Sequence, residues 1–142
     1  MVAVLVVAAA SVSLGYGVVY ARGQLKAIAI KHRALDEVTS YMELWVSRFH
    51  DNHISASDLA GDRRGEEVII YSPFSETAAD ELVDDVIKGT LYRSKSQKKY
   101  SSYNPAYFGY YNLEVWIEWV DPFCDPEKPH EIRLSTNVIP LQ

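Results

Sequence analysis

The sequence predicts an α+β chain, with one long N-terminal helix over about residues 1–50 packed on a small antiparallel β-sheet. Three observations carry this expectation. Met1–Ala21, MVAVLVVAAASVSLGYGVVYA, contains no charged residue. An amphipathic helical pattern continues from it, and no proline occurs before Pro73. Near the C-terminus, Asn112–Val120 alternates apolar and polar residues, and a second such segment follows a proline-bearing turn.

The helix comes first. Roughly 20 apolar residues, at about 1.5 Å per residue, span a bilayer core. Inside lipid such a run is helical, because every backbone polar group needs an internal partner. Val4, Leu5, Val7, Leu14, Gly15, Gly17 and Val18 are its expected contact residues with neighbouring helices. The two glycines either allow close helix approach or mark a place where the helix loosens. From Leu25 onward, Leu25, Ile28, Leu35, Val38, Met42, Trp45 and Phe49 recur at steps of three and four, with His32 filling one gap. That spacing is one face of an α-helix, and His32 is expected there as a packed or capped side chain. Lys26, Lys31, Arg33, Asp36, Glu37, Glu43 and Arg48 take the other face. With no proline to break it, the rod would be about 75 Å long. The chain thus divides into 1–21, a transmembrane or filament-core half-helix, 22–51, an amphipathic half-helix, and 52–142, a head with a loop, a short helix and an antiparallel sheet.

In the head, Asn52–Gly65 reads as a loop, with its Asp, Ser and Gly residues and its DRRGEE run. Glu67–Tyr71 reads as a short strand stopped by Ser72-Pro73. Ser75–Lys88 reads as a helix with Gly89 beyond its end, burying Ala78, Leu82, Val83 and Ile87. Its carboxylates, Glu76, Asp80, Glu81, Asp84 and Asp85, read as a solvated face. Thr90–Ser94 is a further strand candidate, and Ser94–Ala106 is polar. Tyr100, Tyr103, Tyr107 and Tyr110, with Phe108 and Tyr111, form an aromatic cluster. Such a cluster packs between subunits or on the sheet, or offers a rigid contact surface for sugars or proteins. In Asn112–Val120, Leu113, Val115, Ile117 and Trp119 share one side, opposite Glu114, Trp116, Glu118 and Val120. After Asp121–Pro129, the return strand His130–Val138 places Ile132, Leu134 and Val138 together. Leu35, Val38, Met42, Trp45 and Phe49 are expected to pack against Leu113, Val115, Ile117, Ile132 and Leu134.

Composition narrows the function. A net charge of −5 argues against a broad nucleic-acid surface, so no nucleic-acid partner is expected. The single cysteine, Cys124, cannot form an intrachain disulfide. No phosphate loop, paired-cysteine spacing or nucleophile elbow occurs, so no catalytic residue, cofactor or metal is expected. His50-Asp51-Asn52-His53 reads as a helix-end cap, and Asp121 with Asp125 lacks a ligand ladder for calcium. Val19-Tyr20-Ala21 makes a small-residue cleavage site, but no basic segment precedes the apolar run as in a signal peptide.

MVAVLVVA at the start resembles the N-terminal helix of type IV pilins, minor pilins and type II secretion pseudopilins. Mature chains of that family commonly open with a stretch like FTLIEVMVAVLVLA. YYNLEVWIEWVDP followed by HEIRLSTNVI is similar to the paired strands that end many minor-pilin-like subunits. The resemblance implies a pilin-like fold and a structural role without enzymatic activity. It implies a helical filament of identical or related subunits, stored in the bacterial inner membrane and then built by pilus or secretion machinery. The filament would be an extracellular pilus or a periplasmic pseudopilus, serving adhesion, secretion or a related task. Matched to the family, this chain starts about six residues inside the usual mature N-terminus and departs from the pattern: the family's conserved Glu and methylated first residue would lie upstream of Met1, so the chain is truncated, its start is misassigned, or the protein lacks these features. In the family a basic leader sets the orientation; Arg22–Arg33 alone would hold this flank in the cytoplasm. The other use that fits the same residues is a single-pass membrane-anchored accessory or binding protein that does not polymerise.

Overall fold

The computed structural model describes residues 2–51, 54–72, 86–100, 109–122 and 125–141, leaving out the side chains of 2–6, 8–10, 63 and 125. Helix α1 runs unbroken over Val2–His50, straight through Gly15, Gly17 and Gly23. A one-turn helix α2 (Ala56–Leu59) follows. The strands are β1 (Asp62–Tyr71), β2 (Ile87–Arg93), β3 (Lys98–Tyr100), β4 (Gly109–Asp121) and β5 (Asp125–Val138). All pairings are antiparallel. β4 is the centre of the sheet. One edge pairs with β5 along nearly its whole length, from Tyr111↔Val138 to Val120↔Pro129. The other edge pairs with β2 over residues 115–119 and with β3 over 109–111. β1 extends the sheet beyond β2. The chain is therefore α+β, with its long helix N-terminal to an antiparallel sheet.

Alternation along β4 decides what the sheet buries. Leu113, Val115, Ile117 and Trp119 point into the core, while Glu114, Trp116 and Glu118 stay half-buried on the outer face. Ile132 and Leu134 of β5 lie opposite Ile117 and Val115 and flank the core. β2 adds Ile87 and Leu91, and β1 adds Ile70. Against this layer α1 buries Ile30, Ala34, Val38, Tyr41, Met42, Trp45 and Phe49. Tyr41, Trp45, Phe49 and Tyr111 form an edge-to-face chain, with Phe49 and Tyr111 5.1 Å apart at 66°. Fully burying a side chain of this size contributes about 1.5–3 kcal/mol. The helix end is closed by the last residues of the chain, where Leu141 donates its N–H to the His50 carbonyl at 3.1 Å.

Six expectations are corrected. Leu35 does not pack on the sheet; it is 40% exposed, and Ile28 and Leu25 are more exposed still. From Val38 toward the N-terminus the buried row steps by fours, through Ala34 to Ile30. A row of four-residue steps is inclined by about 26° to the helix axis. Helix α1 therefore crosses the sheet obliquely, and the Ile28–Leu35 row turns out of the contact. His32, expected packed or capped, is exposed for the same reason.

The helix expected to end at Lys88 cannot do so, because Ile87 and Lys88 already belong to β2, from which Ile87 is buried; residues 73–85, with Ala78, Leu82, Val83 and the carboxylates, lie outside the described residues. Gly89 is not a helix stop. It sits mid-strand between Val68 and Trp119, where a Cβ would come within 2.4 Å of Ile70 Cδ1. The loop expected over Asn52–Gly65 is largely structured. Ser55 and Asp58 form a capping box on α2, and β1 begins at Asp62. Between them Gly61 takes φ +81°, and a Cβ there would meet the backbone at Arg93 to Lys95 within 2.8 Å. Finally, the turn between the last two strands is shorter than Asp121–Pro129. β5 starts at Asp125, and an edge strand tolerates Pro126 and Pro129.

Candidate assembly surface

Helix α1 has two environments. From Ile30 to Phe49 one face is buried on the sheet. From Ser11 to Ala29 no residue is buried, and only Gly23 and Ala27 are partly covered. Up to Ala21 this part is uncharged and mostly apolar. Val7 is 65% exposed, Leu14 71% and Val18 52%, and Val12, Tyr16, Val19 and Tyr20 are exposed as well. Nothing lies within 4 Å of where a Cβ would stand on Gly15 or Gly17. Val4 and Leu5 belong to the same helix, but their side chains lie outside the described residues. From Ser11 to Arg22 every residue is exposed, a stretch of roughly 18 Å at the helical rise. Among the described residues no helix is long and apolar enough to cross a membrane, which leaves the side chains of 1–6 and 8–10 out of account.

Charge along α1 is segregated. Arg22, Lys26, Lys31 and Arg33 come first, and Asp36 is the first carboxylate. Arg33 pairs with Glu37 one turn on, at 2.9 Å. Arg22, Asp36 and Glu43 are exposed, and none of them makes an ion pair with a described residue.

The neck between helix and head is held by a buried cation. Arg93 is 3% exposed, and its guanidinium lies 3.5 Å from the Trp45 ring centroid. It donates to the Asp58 carbonyl and so ties α2 to β2. Burial pushes its pKa down, opposed by the Tyr41 hydroxyl. Arg48 lies against the same Trp45 ring at 4.8 Å. Asp58 accepts the Ser55 hydroxyl at 2.7 Å and the Ser55 N–H at 2.9 Å. These two bonds hold its carboxyl below the usual range. Arg93 gave no sequence signal, since a charged residue is read as surface.

On the outer sheet face, Tyr92 stacks on Trp116 at 5.5 Å, and Arg133 lies 4.7 Å from the Trp116 ring while pairing with Glu114 and Glu131. Of the expected tyrosine surface, Tyr100 is exposed in β3 and Tyr110 is half-covered in β4; Tyr103 and Tyr107 lie outside the described residues. A groove of about 290 Å³ runs between α1 and the hairpin, lined by Ile28, Lys31, Trp119, Asp121, His130 and Ile132. His130 stacks on Trp119 there. Among the described residues no three His, Cys, Asp or Glu side chains gather as metal ligands. Asn52, His53 and Cys124 lie outside them. No family model, curated protein or solved structure matches the chain.

Proposed function

We propose that this protein is the structural subunit of a type IV pilus-like filament, with a pilin-like fold. The observation that carries the reading is the asymmetry of α1: one continuous helix, sheet-bound at one end and uncharged, apolar and bare at the other. A helix that is apolar all round is stable only inside lipid or among other helices. The subunit would wait in the bacterial inner membrane, then exchange lipid for the helices of sister subunits at the filament core. Its sheet domain would form the outer surface. The resemblance of MVAVLVVA and of the β4–β5 segment to pilins and pseudopilins supports the same reading. The filament would be an extracellular pilus or a periplasmic pseudopilus, built by pilus or secretion machinery, and the subunit itself carries no catalytic role.

The test is electron microscopy of material sheared from cells that express the chain, with mass spectrometry of the subunit. Filaments containing this subunit are the expected result. A chain that stays wholly in the membrane fraction, with no filament under any growth condition, overturns the proposal in favour of an anchored accessory protein.

A further inference from the structure

The back of α1, away from the sheet, carries a heptad row: Gly15, Arg22, Ala29, Asp36 and Glu43, each seven residues from the last and each exposed. Leu25 and Val18 flank the row, so its lower part is apolar. Seven residues are close to two helical turns, so these positions form one seam along which a parallel helix can lie. The order of charges along that seam constrains how two copies meet. With no stagger, Arg22 faces Arg22, Asp36 faces Asp36 and Glu43 faces Glu43. Like charge opposes like at every charged position of the seam, which disfavours a blunt parallel pair. A stagger of one heptad sets Arg22 against Ala29 and Asp36 against Glu43, again without an opposite pair. A stagger of two heptads, about 21 Å along the axis, sets Arg22 against Asp36 and Gly15 against Ala29. An antiparallel pair centred on Ala29 also joins Arg22 to Asp36. It lays each apolar half on the polar Thr39–Ser47 back of the other copy, so burial opposes it.

We infer that this seam binds a second copy of the chain, in parallel and displaced by two heptads, with Arg22 of one copy paired to Asp36 of the next. The inference rests on the filament reading and adds to it a register. Both Arg22 and Asp36 are free of described ion partners in the single chain, so the pair is available to a neighbour. The contact is heterologous, because each copy offers Arg22 below and Asp36 above. A displaced contact of this kind does not close on itself and propagates as an open filament.

Charge reversal in the full-length chain tests the register, with sheared polymer quantified against total subunit. Arg22→Asp and Asp36→Arg each lower polymer yield by about tenfold or more, and the double exchange restores most of it. Thermal unfolding of the head stays unchanged in all three, since both side chains are exposed. If single and double variants polymerise like the parent, the register inference fails while the filament reading stands. If Arg22→Asp is rescued by Glu43→Arg and not by Asp36→Arg, the displacement is three heptads and the inference fails. If the single variants lose polymer and the double does not regain it, the two residues are not partners. If the parent chain itself gives no polymer, the filament reading falls and the register with it.

Discussion

The two ends of α1 obey different rules. Between Ile30 and Phe49, position decides everything. Ala34 is fully buried and Leu35, its larger neighbour, is 40% exposed, because the sheet reaches one row and not the other. Between Val7 and Ala29, position around the helix decides nothing within the single chain. Every described large side chain there is exposed, whichever way it points. The contrast teaches that the head is a finished hydrophobic unit and the free half is not. The first takes its stability from its own sheet; the second buries none of its described side chains within the single chain.

The contrast can be broken most sharply by exchanging the kind of substitution between the two ends. Val18→Asp places a charge in the bare half and should abolish membrane retention and polymer together. A carboxylate costs a membrane helix about 2.5–3.5 kcal/mol at its centre and less near an end, where Val18 stands four residues before Arg22. The unfolding temperature of the head should not move. Phe49→Ala should do the reverse. It opens a cavity beneath the Tyr41–Trp45–Tyr111 ring cluster, where Phe49 is fully buried, and should lower head stability by about 3–5 kcal/mol in denaturant titration. If instead Phe49→Ala is silent and Val18→Asp unfolds the head, the two ends are not independent.

At the neck, Arg93→Ala removes the cation over Trp45 and the donor to the Asp58 carbonyl. A loss of about 2 kcal/mol is expected, with Arg93→Lys recovering only part, because an ammonium lacks the planar face. Gly89→Val should cost about 1–3 kcal/mol through collision with Ile70, against the usual preference of strands for β-branched residues. The smallest effect belongs to Ser55→Ala. The folded-state pKa of Asp58 lies below its ordinary value of 3.8 because of Ser55. A depressed carboxyl contributes stability above its unfolded pKa and loses it as pH falls through the folded one. The stability gap between the parent and Ser55→Ala should therefore be present at neutral pH and narrow below about pH 3.8, as urea titrations across that range would reveal.

How far the sequence could be read depended on which force set each element. The β4–β5 hairpin was legible because strict alternation has period two, and nothing else fits Leu113, Val115, Ile117 and Trp119. The length of α1 was legible from the absence of proline. Its buried face was legible only from Val38 onward. Nearer the N-terminus two rows are open to burial, and the oblique crossing of the sheet, a tertiary fact, selects Ile30 and Ala34 over Ile28 and Leu35. Ala34 carries too little apolar surface to announce itself. Gly89 misled because a glycine after a helical pattern reads as a cap, whereas here it makes room for Ile70. The candidate surface was visible as an uncharged run. The seam of Arg22, Asp36 and Glu43 was not, since charges on a helix look like solvation until the face that stays free is known.

If sister chains complete the bare half of α1, residue 18 of one copy comes close to residue 18 of others in the polymer. A spin label at position 18, on Val18→Cys in a Cys124→Ser background, reads that proximity when membranes are compared with sheared material. Dilute subunits in the membrane should give an isolated spectrum, and the sheared fraction strong spin–spin broadening. An isolated spectrum in both fractions, at full labelling, would contradict completion by sister chains.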